Sequence, residues 1–510
     1  MVFAVLLAVG AGGFYAVYRA AGRTPPAALH IDKPEKIVGQ QGTLQLSAAG
    51  TRGRLSSLTA VVEQNGHTVP LLSIDAATAK TLWQPDTDRI SVVRTFGKES
   101  VPELKEGAGK IIVTATTTSW MNLRTFTSQV SKDIEVRLEP PRITVLSTHH
   151  YVNHGGAEMV VYRATPADID SGVRVGDVEY PGYAASGAGA TTTDPALTRD
   201  PSIKVAFFAL LYDQPLNTRI TAFARDAGGT EATASFMDNV FEKPQKHSRI
   251  EIDDKFINRV VPEILEHSPE LKITPSPGGQ VGQVGQVDQV DQVARFVKIN
   301  SELRKMNSDD IVSITEDSSP TRLWSGPFEQ LGNSKVEAAF ADHRTYVYKG
   351  KEIDQQVHLG FDLAVTANVP VLAANAGKVV NARWLGIFGN CVIIDHGMGV
   401  ASLYGHLSSF DVKVGDSVTR GQTIGKSGMT GLAAGDHLHF TMLVAGHPVN
   451  PVEWWDAHWV QDRVDRKLKD LGESGGTEPQ KAVRAAPKAQ PHAKPTAAAP
   501  KGQAARRGKR

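Results

Sequence analysis

From Ala28 to about Leu138 apolar and polar residues alternate in short runs, such as Thr43 to Ala48, Leu58 to Val62, Lys110 to Thr116 and Ile134 to Leu138, separated by Gly, Asp, Asn and Pro. A period of two over runs of this length predicts half-buried strands, and their close succession predicts a β-sandwich of Ig-like kind over 28–139. Pro140-Pro141 interrupts the chain. A second set, Ile143 to Leu146, Glu158 to Arg163, Ser202 to Leu211, Arg219 to Ala224 and Thr230 to Phe236, predicts a second such sandwich over 140–240.

The pattern then changes period. In 241–320, Phe256, Val260, Ile264 and Leu265 fall at helical spacing, and Val293, Phe296, Val297, Ile299 and Leu303 resume it, predicting a helical linker region. Between them lies a triplet repeat, Gln280-Val281-Gly282 through Gln289-Val290-Asp291, ending in Gln292-Val293. Period three suits neither a helix face nor a strand, so a solvent-exposed loop is expected. Trp459, Val460, Val464, Leu468 and Leu471 predict a helix over 457–471 that packs back on the body. From 472 to 510 Pro, Ala and Lys dominate without periodicity, the composition of a disordered basic tail.

At the other end, Val2 to Tyr18 is uncharged and mostly Val, Ala, Leu, Phe and Gly. A helix of about 18 residues just crosses a hydrocarbon core, so 1–27 is expected to be a signal anchor or transmembrane segment, or a signal peptide. Arg19 and Arg23 follow the apolar run, the reverse of the usual order for an inward amino terminus.

Hydrophobic residues make up 41% of the 510 and charged residues 21%, which excludes wholesale disorder and a polytopic membrane fold. The formal charge of +1 conceals an asymmetry, because 475–510 holds nine Lys or Arg against Glu478. The body is therefore mildly acidic and a poor nucleic-acid binder, and any polyanion contact would belong to the tail. Cys391 is the only cysteine, flanked by strand-like sequence, and reads as a small core hydrophobe.

Three segments carry the chemistry: His358-Leu359-Gly360-Phe361-Asp362, Tyr404-Gly405-His406-Leu407 and Asp436-His437-Leu438-His439-Phe440. On a strand, the spacing of His437 and His439 points both imidazoles to one face while Leu438 and Phe440 enter the apolar side. A catalytic zinc takes three protein ligands and keeps a position for water, and two histidines with one carboxylate are an established set that His358, Asp362 and His439 can supply. His437 and His406 then remain unmetallated nearby, as hydrolysis requires. Taken singly, each feature has a plainer explanation, His406 as a satisfied core histidine and His358 with Asp362 as a hydrogen-bonded pair. His149, His150 and His154 also cluster, but in turn-like sequence without a carboxylate at ligand spacing.

Residues 324–456 resemble the LytM/lysostaphin-type (M23) zinc endopeptidases. The family's His-x-Gly-x-Asp appears as His358 to Asp362, its Tyr-x-His as Tyr404 to His406, and its Thr-Gly…Gly-x-His-Leu-His-Phe as Thr430-Gly431 and Gly435 to Phe440. Trp324 to Phe328, Arg344-x-Tyr346, Asn390, Asp395-His396-Gly397 and Asn450-Pro451 match as well, with His396 fitting a structural strand-end role. Two positions depart. Asn368 stands where the family has a glycine, which Asn can replace at positive φ, and Asp436 stands where it has proline, placing a carboxylate beside His437 that either raises its pKa or points outward.

The resemblance implies an antiparallel β peptidase domain over 321–456, with zinc held by His358, Asp362 and His439, His437 as general base and His406 assisting the tetrahedral intermediate. It implies hydrolysis of peptide bonds in peptidoglycan stems or cross-links, outside the cytoplasmic membrane in the periplasmic cell envelope, by a mainly β chain anchored through its amino-terminal segment. The alternative is a non-catalytic member that binds cell wall or activates another hydrolase. Such members lose ligands or catalytic residues, whereas all five positions stand here. A regulatory protein partner, and helices or sandwiches that cover the groove until displaced, fit either reading.

Overall fold

The computed structural model describes residues 26–51, 54–119, 124–189, 199–227, 229–273, 289–471 and 483–484. The expected membrane segment lies outside these residues, as do most of the triplet repeat and nearly all of the basic tail. Among the described residues no helix is long and apolar enough to cross a membrane.

The fold is mainly β. The first unit pairs a four-stranded sheet, in the order Ala28–Lys33, Thr43–Ala49, Arg89–Thr95, Trp83–Gln84, with a five-stranded sheet containing the long strands Leu55–Gln64, Gly107–Thr118 and Thr125–Val136. Alternation is strict in Gly107–Thr118, where Ile111, Val113 and Ala115 turn inward. Together with Leu44, Leu46, Leu58 and Ile134, they close a separate apolar core.

The second unit also stacks two sheets, one built on Ala157–Thr165 and Ile203–Ala209, the other on Asp170–Val175 and Ile220–Arg225. The two-residue strand Val483–Arg484 adds to the second sheet beside Ala232 and Thr233. The core of this unit does not stop at its own sheets. Phe207 meets Trp324 and Trp454 at ring centroid distances of 6.3 and 6.0 Å, so one apolar core runs from Ile143 through the third β unit to Leu471.

Buried polar contacts cross the same seam. Lys467 Nζ lies 2.8 Å from the buried carboxylate of Glu158, and Glu453 accepts hydrogen bonds from Asn153 Nδ2 at 2.6 Å and Ala157 N at 2.7 Å. His150 is buried against Ser147 Oγ at 2.8 Å, and His154 Nε2 donates to the Gln214 carbonyl at 3.0 Å, so these two rings are engaged separately. His149 takes a left-handed φ of 61°.

The third unit is built on an eight-stranded antiparallel sheet, in which Lys335–Ala338, Phe361–Ala364, His437–Val444, Val400–Leu407, Asn390–Gly397, Gly377–Trp384 and Ser417–Val418 follow one another, with His447–Val449 beside His437–Val444. Cys391 is fully buried on Asn390–Gly397. Asn368 adopts a φ of 60°, the conformation expected of it in place of glycine. His396 ends that strand buried, its Nδ1 donating to the Ala376 carbonyl and its Nε2 meeting Ser402 Oγ, both at 2.7 Å.

The helical region contains Asp254–His267, capped by Asp253, and a longer stretch from Gln289 to Thr315 interrupted by a π-helical turn at Ile299–Leu303. The end of the repeat is thus helix rather than loop. Asp291 pairs with Arg295 one turn on, at 2.7 Å, support that a period-three reading overlooks. The predicted carboxy-terminal helix forms as Ala457–Val460, a π turn Gln461–Asp465 and Arg466–Lys469.

Candidate metal centre

Strand register assembles the site. In the pairing of Phe361–Ala364 with His437–Val444, Asp362 stands opposite His439 and Ala364 opposite His437, while Gly405 stands opposite His439 on the other side. His358 ends the preceding strand, Lys351–His358, and a two-residue link through Gly360 brings it back over the sheet. A side chain at 360 has no room, since a Cβ there would lie 2.5 Å from both His439 Nε2 and Thr441 Oγ1. His406 closes the group from a φ of 63°, a strained conformation for a non-glycine residue and one concentrated at functional sites.

His358 Nε2, Asp362 Oδ1 and His439 Nδ1 form a triangle with sides of 2.9, 3.1 and 3.1 Å. Bonds of about 2.1 Å in a tetrahedral centre place donors about 3.4 Å apart, so the three fit one ion after a slight expansion. Their outer atoms decide what they present. His358 Nδ1 donates to the Ala339 carbonyl at 3.1 Å, leaving a lone pair on Nε2. Thr441 Oγ1 donates to the Leu359 carbonyl at 2.9 Å and so accepts from His439 Nε2 at 3.0 Å, leaving a lone pair on His439 Nδ1. Arg344 Nη2 holds Asp362 Oδ2 at 2.9 Å, leaving Oδ1. In the neutral rings three lone pairs converge with no proton between them, an arrangement that a cation relieves.

The other two histidines are fixed in the same manner. His437 Nδ1 donates to the Gly435 carbonyl and His406 Nδ1 to the Thr430 carbonyl, each at 2.8 Å, which leaves Nε2 of each ring for a second contact. Their rings lie 4.8 Å apart, and His437 Nε2 is 3.4 Å from Asp362 Oδ1. All five residues singled out in the sequence therefore meet in one place.

Electrostatics separates their states. Burial works to raise the Asp362 carboxyl, but His358, His437 and His439 together hold it well below the usual carboxylate range. Burial, followed by the neighbouring rings His437 and His439, pushes His406 well below the ordinary imidazole value. Burial likewise lowers His439 to about 4. His437 is raised, because Asp362 outweighs the opposing effect of burial. Asp436 is not the cause: one of its oxygens accepts from the Asn368 amide at 3.1 Å, which turns the carboxylate toward that backbone turn.

A cavity of about 940 Å³ lies over the donors, walled on its far side by Phe256 and Arg259 of the helix Asp254–His267. Arg259 Nη1 donates to the Met429 carbonyl at 3.2 Å, and Nη2 donates to the Ala433 carbonyl, fastening that helix to the loop before His437. A second cavity of about 410 Å³ lies on the other side of His439.

An antiparallel β unit with two histidines and an aspartate that could hold one metal ion, and two further histidines beside them, fits a metallopeptidase. Residues 356–451 are a peptidase family M23 domain. The chain is 44% identical over 96 residues to peptidoglycan DD-endopeptidase ShyA of Vibrio cholerae, covering 19% of this chain and 22% of that one. It is 41% identical over 97 residues to DD-carboxypeptidase/endopeptidase Mpg of Neisseria meningitidis, again 19% and 22%. The match thus spans about a fifth of the length of these curated relatives. The catalytic domain of lysostaphin from Staphylococcus simulans superposes with 30% identity over 26% of this chain and 98% of that one, at a TM-score of 0.22.

Proposed function

We propose that this chain is a zinc-dependent endopeptidase that hydrolyses peptide bonds in peptidoglycan stems or cross-links. The carrying observation is the convergence of His358 Nε2, Asp362 Oδ1 and His439 Nδ1, each with its outer atom held by Ala339, Arg344 or Thr441. The names of the two curated relatives favour a bond between two D-centres within a cross-link.

Zinc bound by this set would supply a water of pKa about 7 and polarise the scissile carbonyl. His437, steadied through Nδ1, receives the water proton at Nε2 and returns it to the leaving amine. His406, on the cavity wall beside His437, assists at the tetrahedral intermediate. The cavity over the donors accommodates an extended peptide. In this reading 321–456 is the catalytic unit, 28–139 and 140–240 precede it as β units, and 1–27 anchors the chain in the cytoplasmic membrane with the body in the periplasm. A regulatory protein that acts on the helix Asp254–His267 would control access.

The test is digestion of purified peptidoglycan by the whole chain, with released muropeptides identified by mass spectrometry. Cleavage is expected, to be lost with a chelator, restored by zinc, and lost in His439→Ala together with bound metal. Zinc retained in the wild type without any cleavage would instead favour a regulator of another hydrolase. Cleavage that persists in metal-free protein would remove the mechanism.

A further inference from the structure

Among the described residues the cleft is lined by an arginine, Arg304, that has no ion-pair partner. Arg304 begins the helix Arg304–Thr315, directly after the π turn and outside the stretch 356–451. Its Nε donates to the Asn300 carbonyl at 3.0 Å and its Nη2 to Asn300 Oδ1 at 2.7 Å, contacts within its own helix that leave Nη1 over. Asp354 is occupied elsewhere, accepting from Asn300 Nδ2 at 2.7 Å and from Gln356 at 3.2 Å. Among the described residues no carboxylate forms an ion pair with Arg304, whereas its neighbour Arg344 is matched by Asp362 at 2.9 Å.

Position makes this cation interesting. Arg304, Phe388 and His439 border both cavities, so the guanidinium stands where the space above the metal donors meets the space beyond His439. Arg304 is half-buried, and desolvation lowers its pKa against the opposing pull of Tyr346 and Asp354. A guanidinium fork matches a carboxylate in two parallel hydrogen bonds, which a lysine would not reproduce.

We infer that Arg304 is a specificity-determining residue that binds a free carboxylate of the substrate peptide beside the scissile amide. The inference rests on the peptidase reading and narrows its substrate to anionic peptides. The carboxylate has two sources in a cross-linked peptide, the chain terminus or an internal residue joined through its side chain. Arg304 contributes through binding, so its loss acts on KM more than on kcat.

Purified cross-linked muropeptides and synthetic counterparts amidated at the terminal or at the internal carboxylate are compared as substrates for the whole chain, wild type, Arg304→Met and Arg304→Lys. The wild type should prefer the free acid over one of the two amidated peptides by about ten- to a hundredfold in kcat/KM, the range of a charge-assisted contact, and that peptide identifies the source. Arg304→Met should bring the preference close to one while zinc content and kcat stay near wild type, and Arg304→Lys should keep part of it. A merely structural arginine would lower activity on all peptides alike. Equal preference in wild type and Arg304→Met, or no preference in the wild type, overturns the inference while leaving the peptidase reading intact. A zinc-loaded wild type that cleaves none of the peptides overturns both.

Discussion

Replacing Glu453 by glutamine should remove a pH dependence built into the seam between the second and third β units. Glu453 is buried, accepts from Asn153 Nδ2 and Ala157 N, and has no ion-pair partner among the described residues. Burial dominates and lifts the carboxyl from its ordinary 4.5 to about 7, against the pull of those two hydrogen bonds and with added repulsion from Glu158. Between about pH 4.5 and 7 the folded chain therefore keeps a proton that the unfolded chain has released. The associated stability is full below about 4.5 and is lost as pH rises through about 7, at most about 3 kcal/mol in all.

Glutamine has nearly the same shape and cannot ionise, and the Asn153 amide can turn its oxygen toward the new NH2. Urea unfolding followed by tryptophan fluorescence, which Trp324 and Trp454 at this seam report, is the assay at about pH 5 and pH 8. The Glu453→Gln variant should match the wild type within about 1 kcal/mol at the lower pH and exceed it by about 2 kcal/mol or more at the higher. A stability difference that is the same at both values would refute the reasoning.

Two further outcomes concern the metal centre. Thr441→Val removes the acceptor that fixes the His439 tautomer and should weaken zinc binding about ten- to a hundredfold in a competition titration with a chromophoric chelator, an effect that unchanged affinity would disprove. Gly360→Ala puts a methyl 2.5 Å from His439 Nε2, and should lower both zinc content and stability, the latter by about 1–3 kcal/mol, whereas a variant with full zinc occupancy would show that the link can shift at little cost.

Much of the centre was legible because it obeys strand geometry. The alternation that puts His437 and His439 on one face also puts Thr441 there, so the residue that sets the His439 tautomer carries a readable signal in the sequence. Arg344 stood out as a flanking residue, but its hold on Asp362 depends on how one hairpin packs beside another. Arg304 had no local signal at all: it belongs to a helix whose placement over the cleft is a tertiary fact. The orientation of Asp436 was likewise undetermined until the Asn368 turn came alongside. Strands such as Thr43–Ala49, Leu55–Gln64 and Gly107–Thr118 followed from period two, whereas the helical end of the repeat depended on a pair one turn apart, Asp291 with Arg295, which a triplet count conceals.

The shared core has a practical corollary for anyone who wishes to produce the catalytic part in isolation. Trimming at about residue 320 would uncover Trp324 and Trp454 where Phe207 had shielded them, and would strand the ammonium of Lys467 without Glu158. Sticky, poorly soluble material would then say nothing about chemistry. A shortened version beginning ahead of Ile143 and ending after Leu471 keeps that surface covered.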